Sequence, residues 1–436
     1  MRVPSDDWQG YLDGLAAFGM RPGLERVSAL LDALGRPQDG FRVVHVVGTN
    51  GKSSTTRYTA AILRAHGLRS GAYLSPHISG YCERVLVDGA PVDEAVFARA
   101  VRSVRDGVAM LPGELGETTQ FEVLTVAALL ALGDRRVEAV ALEAGLGGRL
   151  DATNVVEAPV AVLTNVGLEH TEVLGDTRAA IFAEKAAVIK GGDAVFGPLD
   201  GLEEAAEAVC ARVGARAHLL GRDLSVDGDP GRFTLRTRSA VYDGLALPTL
   251  ARYQVVNAGL AVAATELFLG ALDVAKVRAA LRDVVVPGRL QVVSRDPLLL
   301  ADGAHNRDGV RALAETLQRL ALPRPLVAVI AVMRDKDAAH MLEALLPLVD
   351  AVVCTRASEP RSLRANELAE MAAAVTPPDG VVRRPAATPA IHVIERPHEA
   401  VSRALALAGR HGAVLVTGSL YLLEDLRDLL GGGKRP

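Results

Sequence analysis

Glycines, hydroxyls and a single lysine crowd into VVHVVGTNGKSSTT at 43–56, where Gly48 and Gly51 bracket Thr49 and Asn50, and Lys52, Ser53 and Ser54 follow. Those residue types suit phosphate. Backbone N–H groups of a turn and a helix start can point at phosphate oxygens, a lysine ammonium can reach the terminal phosphates, and serine hydroxyls can serve phosphate or Mg2+. The general P-loop has four residues between its glycines, so this is a shortened variant. A plain strand-to-helix turn would use its serines as caps; it would not require both glycines and the lysine. Glu143 closes the run VEAVALE, at the carboxyl end of an expected strand, where ligands gather in open α/β sheets. A carboxylate after mostly apolar residues and before a glycine-rich loop is a poor core residue and a good hard-metal ligand. Ser75 ends GAYLS, His170 follows VAVLTNVG and Lys185 follows Glu184 on an expected helix. Taken alone these three read as a turn serine, a loop histidine and a solvated lysine.

The elements that must position these residues follow from periodicity. The run up to Val47 is β-branched and uncharged, as in a strand buried on both faces of a parallel sheet. Strands are expected near 42–47, 69–74, 137–142, 160–165 and 193–197, with helices near 24–35, 52–66, 92–105, 119–132, 177–190 and 202–213. Between 216 and 248 shorter alternating segments with a Tyr-Asp-Gly turn signal predict an antiparallel patch, and helices follow near 252–270 and 273–284. The βα rhythm restarts at 297 with PLLLADGAHN and continues through RPLVAVIAVM, DAVVCT and GAVLVTGS. VPGRLQ at 286–291 is therefore the expected boundary. The fold class is α/β: a P-loop parallel-sheet ATPase domain with a smaller antiparallel patch at 1–286, then a second Rossmann-like α/β domain at 287–436. The proline-rich stretch 375–390 reads as an exposed loop.

Composition narrows the function classes. The 436 residues suffice for two or three domains, and no apolar run approaches the ~18 residues of a membrane helix. Cys82, Cys210 and Cys354 are far apart and lack metal-ligand spacing, and the start MRVPSDDWQG has no secretory pattern, so a reducing cytoplasm is expected. A net charge of −4 gives no general attraction to nucleic acid.

HVVGTNGKSS resembles the signature of the folylpolyglutamate synthase and dihydrofolate synthase enzymes of the Mur ligase superfamily. YLSPHISGYCERV at 73–85, FEVLTVAALLAL at 121–132, LEAGLGGRLDATNVV at 142–156, NVGLEHTEVLG at 165–175, EKAAVIK at 184–190, PGRLQVV at 287–293, DGAHN at 302–306 and VTGSLYLLEDL at 416–426 appear in the family's order. GLGGRLDATN is the most specific of them. The resemblance implies a Mur-ligase-like central domain and a C-terminal ligase domain, and ATP-dependent joining of a pterin or folate carboxylate to L-glutamate through an acyl phosphate. Whether the enzyme is a dihydrofolate synthase, a polyglutamate synthase or both stays open.

Residue by residue, the resemblance makes Gly48, Thr49, Asn50, Gly51, Lys52, Ser53 and Ser54 the phosphate loop. It makes Ser75, Glu143 and His170 ligands of Mg2+, two ions in all, and Lys185 a metal-site lysine open to carbamylation by CO2. Asn257 in YQVVNAGLA is similar to a nucleotide contact, and Arg289, Asp302 and His305 would face nucleotide and glutamate. Segments near 75–84 and 118–122 would form the pterin surface. The expected partners are dihydropteroate or folate and L-glutamate, with no nucleic acid, no membrane and a monomeric chain. Ser53 stands where many members have glycine, and Glu169 where aspartate is common. Two other readings share these residues. A peptidoglycan-type Mur ligase usually carries a further domain before the loop, whereas 47 residues precede Gly48 here. A non-catalytic ATP-binding protein would have no use for Lys52, Glu143, His170 and Lys185 together.

Overall fold

The computed structural model describes residues 7–15, 21–375 and 388–430. The chain divides into two compact units. One runs to Leu247 and resumes over Val255–Val284; the other comprises Pro248–Gln254 and the chain from Val285 onward.

The first unit is built on eight strands: β1 (Arg42–Val47), β2 (Ser70–Tyr73), β3 (Val85–Val87), β4 (Ala90–Pro91), β5 (Ala139–Glu143), β6 (Val160–Leu163), β7 (Asp193–Phe196) and β8 (Arg216–Leu219). Their order is β4-β3-β2-β5-β1-β6-β7-β8. The six from β2 to β8 are parallel, and β3 and β4 add an antiparallel edge. The central strands β1, β5 and β6 are largely apolar because helices cover both faces, with His45 the polar residue inside β1. One face packs Trp8, Leu12, Leu30, Leu31 and Phe97 with the helix Gln120–Asp134 over one half and Ile181, Phe182 and Phe196 over the other, while Ala72 and Ala141 on the opposite face pack with Ala60 of the helix Lys52–Ala65. The helix Gln120–Asp134 starts at a capping box, with the Glu122 amide on Thr119 Oγ1 at 3.2 Å and the Thr119 amide on Glu122 Oε2 at 2.7 Å.

A separate antiparallel sheet holds β9 (Ser225–Asp229), β10 (Arg232–Arg236) and β11 (Val241–Leu245). The helices Tyr253–Leu269 and Val274–Asp283 follow, and the second packs on the helix Lys52–Ala65. In the second unit β12 (Gln291–Arg295), β13 (Leu298–Ala301), β14 (Leu326–Ile330), β15 (Ala351–Cys354), β16 (Ala390–Val393) and β17 (Ala413–Thr417) form one sheet in the order β12-β13-β17-β14-β15-β16. All are parallel except the edge strand β12.

Several expectations need correction. The stretch 216–248 is not one antiparallel patch, because β8 joins the large sheet in parallel. Arg216 and His218 both grip Asp193 of β7 at 2.6–2.8 Å, so a strand that reads as polar is fastened at the sheet edge by side chains. The β3–β4 hairpin turns through Asp88 and Gly89, both with positive φ, and its strands are too short to read by alternation. The helix Arg178–Ala186 stops before Lys190, whose ammonium instead holds the carbonyls of Asn154 and Val156. β12 occupies part of the expected break at the domain boundary. Of the expected loop 375–390, residues 376–387 lie outside the described residues, and Ala390 opens β16. Among the described residues no helix is long and apolar enough to cross a membrane.

Candidate active site

β1 delivers the chain into the expected phosphate loop at Gly48–Ser54, and the loop's two glycines are there for space and for backbone angle. Gly48 has φ +148°, and a Cβ on it would lie 1.9 Å from Thr164 Oγ1. Gly51 has φ +85°, and its Cβ would lie 2.4 Å from Asn257 Oδ1. The neighbouring strand end clamps the turn. The Thr49 amide donates to the Asn165 carbonyl at 3.1 Å, the Asn50 amide to Asn165 Oδ1 at 2.9 Å, and Thr164 Oγ1 to the Asn50 carbonyl at 2.6 Å. Thr49 and Asn50 thus commit their amides to shaping the loop. Donors for an anion come from the helix start, where the amides of Lys52 and Ser53 precede the first ladder bond, Thr55 to Gly51. Lys52 Nζ folds back onto the Gly48 and Thr49 carbonyls at 3.1 Å each.

Glu143, 1% exposed, ends β5 one strand away. Its Oε1 accepts from Ser53 Oγ at 2.7 Å and its Oε2 from the Ser75 amide at 3.0 Å. The helix start after the Gly48–Gly51 turn, the end of β2 and the end of β5 therefore meet at one carboxylate. Among the described residues no three His, Cys, Asp or Glu side chains converge as a ready metal cage. Carboxylate and serine oxygens are nevertheless the hard donors that Mg2+ takes, and Mg2+ usually keeps waters and substrate phosphates in its other positions. The set at Glu143 fits such an ion. His170 adopts a left-handed conformation, φ 52° and ψ 42°, at the start of the short helix Thr171–Leu174. Its ring nitrogens lie 3.9 Å from Glu169 and 3.8 Å from Glu172.

Lys185 is no solvated lysine. It is 4% exposed, and its Nζ donates to the Gly48 carbonyl at 2.9 Å, the carbonyl that Lys52 also holds. Burial, reinforced by repulsion from Lys52, lowers its pKa to about 7, against a smaller opposing pull from Glu169 and Asp151. The loop GLGGRLDATN packs on its helix so closely that a Cβ at Gly148 would meet the Lys185 carbonyl at 2.7 Å. Asp151 organises that loop, accepting from the Leu146 amide at 2.7 Å and from Thr153 Oγ1 at 2.6 Å. Burial raises its pKa, and these hydrogen bonds oppose the rise. Beside it opens a cavity of about 320 Å³, lined by Phe121, Leu146, Leu150, Val173 and Leu174, with Asp151, Glu184 and Arg21 also on its wall. Thr119 and Glu122 also border it, whereas the expected surface at 75–84 does not.

Asn257 is buried, with its side chain against Gly51 and its carbonyl accepting from Thr55 Oγ1 at 3.4 Å. In the second unit Asp302 is buried and accepts from the amides of Leu290 and Ala304 at 2.8 Å each and from the Tyr253 hydroxyl. Burial raises its pKa, and Arg289 opposes the rise. His305 Nδ1 donates to the Gly303 carbonyl at 2.8 Å. Sequence reasoning assigned no role to Thr164, Asn165 or Asp151. Asn165 and Asp151 stand in segments already recognisable from the sequence, but neither the bonds of Asn165 to a loop more than a hundred positions away nor the local bonds of Asp151 to Leu146 and Thr153 are announced by residue type or spacing.

Two family models cover most of the chain: the Mur ligase middle domain matches residues 46–265 and the Mur ligase glutamate ligase domain matches 288–420. A dihydrofolate synthase/folylpolyglutamate synthase of Mycobacterium tuberculosis is 35% identical over 94% of this chain and 90% of its own length. The M. tuberculosis folylpolyglutamate synthase solved with ADP and AMPPCP is 34% identical and superposes at a TM-score of 0.89, covering 99% of this chain and 100% of that one. A bifunctional folylpolyglutamate synthase/dihydrofolate synthase solved with Mn, AMPPNP and L-glutamate is 31% identical at a TM-score of 0.84, with 98% of each chain covered.

Proposed function

This chain belongs to the folylpolyglutamate synthase/dihydrofolate synthase family of the Mur ligase superfamily, and on that premise we propose how its residues carry out the reaction. It is an ATP-dependent ligase that adds glutamate to a folate or pterin substrate. The reading of the site rests above all on one observation: Glu143, Ser53 and Ser75 form a buried hard-oxygen cluster against a loop on whose Gly48 carbonyl two lysines converge.

The substrate carboxylate attacks the γ-phosphorus of ATP, giving an acyl phosphate and ADP. The glutamate amine then displaces phosphate to leave the amide. Charge spreads over the transferred phosphoryl oxygens, so preorganised donors and cations matter more than a nucleophilic side chain. Lys52 would leave the Gly48 and Thr49 carbonyls for the terminal phosphates, with the amides at the helix start and Ser54 beside it. Glu143, Ser53, Ser75 and His170 would hold Mg2+, which supplies positive charge against the phosphate oxygens when bound. Asn257 would brace Gly51 under the nucleotide, and Arg289, Asp302 and His305 would serve nucleotide and glutamate.

Lys185, with a pKa near 7, has a substantial neutral fraction at neutral pH. That amine can add to CO2 and lose a proton to give a carbamate. The apolar cavity beside Asp151 suits the flat pterin. The protein would act as a cytoplasmic monomer on small molecules.

ADP release is the decisive assay. With 7,8-dihydropteroate or a mono- or polyglutamylated folate, release should require both that substrate and L-glutamate. Lys52→Ala should lower turnover by about 10²-fold or more, as loss of one preorganised charge-stabilising donor does. ATP turnover indifferent to glutamate, or near-normal turnover in the variant, would overturn the assignment of roles.

A further inference from the structure

His45 stands in the middle of β1, fully buried, in a strand whose other interior residues are valines. Its Nε2 lies 2.8 Å from Thr153 Oγ1, and its Nδ1 is buried without a hydrogen-bond partner. An imidazole with one nitrogen unsatisfied is a poorer core residue than another valine would be. What it supplies is a directed N–H.

Thr153 Oγ1 has a single proton and two polar neighbours, His45 Nε2 and Asp151 Oδ1, the latter at 2.6 Å. Asp151 is also faced by the backbone amides of Gly145, Leu146 and Thr153, so donors surround it on the protein side. The threonine proton therefore goes to Asp151, and the threonine lone pair must receive a proton from His45. With the imidazole in its other tautomer, either Asp151 or His45 would face a bare lone pair at hydrogen-bonding distance. Burial, with the nearby Lys190 charge, holds the histidine pKa down to about 3, so the ring stays neutral and keeps its one N–H. Neither His45 nor Thr153 borders the cavity; Asp151 does.

We propose that His45 is a positioning residue for the substrate pocket: through the relay His45 Nε2–H to Thr153 Oγ1–H to Asp151 Oδ1 it fixes the orientation of the carboxylate presented to the pterin. The relay rests on the reading of the cavity as the pterin pocket. The threonine hydroxyl rotates freely unless its lone pair is engaged, and a rotated hydroxyl leaves Asp151 one donor short. The carboxylate then turns to find another. An acceptor whose direction is set before binding holds a planar heterocycle better than one that must be ordered by it.

The test uses the full-length chain at saturating ATP and glutamate, with 7,8-dihydropteroate varied. His45→Leu and Thr153→Val should each raise KM for the pterin roughly tenfold, the equivalent of one lost hydrogen bond, while kcat and KM for ATP stay near wild type. His45→Gln, which puts an N–H close to the Nε2 position, and Thr153→Ser should both restore KM. The double variant His45→Leu/Thr153→Val should be no worse than either single one, because both cut the same chain. KM does not depend on the fraction of molecules folded, and the near-isosteric Thr153→Val reports on the relay even if His45→Leu folds poorly. Unchanged pterin KM in Thr153→Val, additive losses in the double variant, or equal changes in the ATP KM would overturn the relay. Asp151→Ala separates the two ideas. If it raises pterin KM while Thr153→Val does not, the relay falls and the pocket stands; if it has no effect, the pocket reading fails and the relay with it.

Discussion

Lys185 shows how far a residue's chemistry departs from its type. In sequence it is one lysine after a glutamate; in the fold it is buried, bonded to the Gly48 carbonyl and close enough to Lys52 for their charges to repel. Its pKa falls from 10.5 to about 7, so the native state binds fewer protons than the unfolded chain between those values. The resulting penalty on folding is fully present below pH ~7 and fades as pH rises toward 10.5. The same depression makes the neutral amine available to CO2. With 13C-labelled CO2, a carbamate carbon resonance should appear at pH 8, weaken toward pH 6 as Lys185 takes up a proton, and be missing from Lys185→Arg. Lys185→Ala should be nearly inactive and partly restored by a small added carboxylate, with Lys185→Arg no better than the alanine variant before rescue. Full activity in Lys185→Arg would show that a cation suffices.

At the scale of elements, the active loop is less a motif than a junction of three strand ends. β1 provides the turn, β5 brings Glu143, and the end of β6 supplies Thr164 and Asn165 that hold the turn in shape. The glycines are what let those parts approach. Gly51→Ala would place a methyl 2.4 Å from Asn257 Oδ1 at φ +85°, a conformation that costs an L-residue about 1–2 kcal/mol even in open space. Gly51→Ala should therefore weaken ATP binding and lower stability together. Asn257→Gly, combined with it, should recover part of the stability by opening that space, since the φ cost remains. Chemical denaturation of the two variants checks this, and equal stabilities would show that the contact with Asn257 is unimportant.

At the scale of the molecule, each unit has its own buried core, and the Gly48–Ser54 loop belongs to the first. A ligand bound to a native loop and not to the unfolded chain stabilises by mass action. At a hundred times its dissociation constant, ATP with Mg2+ should add about 2.7 kcal/mol. Thermal unfolding should show this as a rise in Tm that grows with ATP concentration. Lys52→Ala at the same ATP concentrations should show a much smaller rise. A shift of wild-type size in Lys52→Ala would mean that the nucleotide is held mainly elsewhere.

Much of this protein was legible before any coordinates. Largely apolar runs such as RVVHVV and AVALE announce buried parallel strands because both faces of such strands must exclude water, and the glycines after one of them announce the sharp turn that the fold places there. Two-unit α/β organisation follows from where that rhythm breaks and restarts. Short or polar elements were hidden. β8 belongs to the large sheet by virtue of Asp193 gripping Arg216 and His218, and the β3–β4 hairpin offers too few residues for alternation to register. The hydroxyl of Ser53 on Glu143, the amides committed to Asn165 and the bond between His45 and Thr153 were beyond reach for a different reason. Hydrogen bonds bind over about 3 Å but join residues scores or a hundred positions apart, so residue type and spacing state what chemistry is available while only tertiary packing decides which donor meets which acceptor.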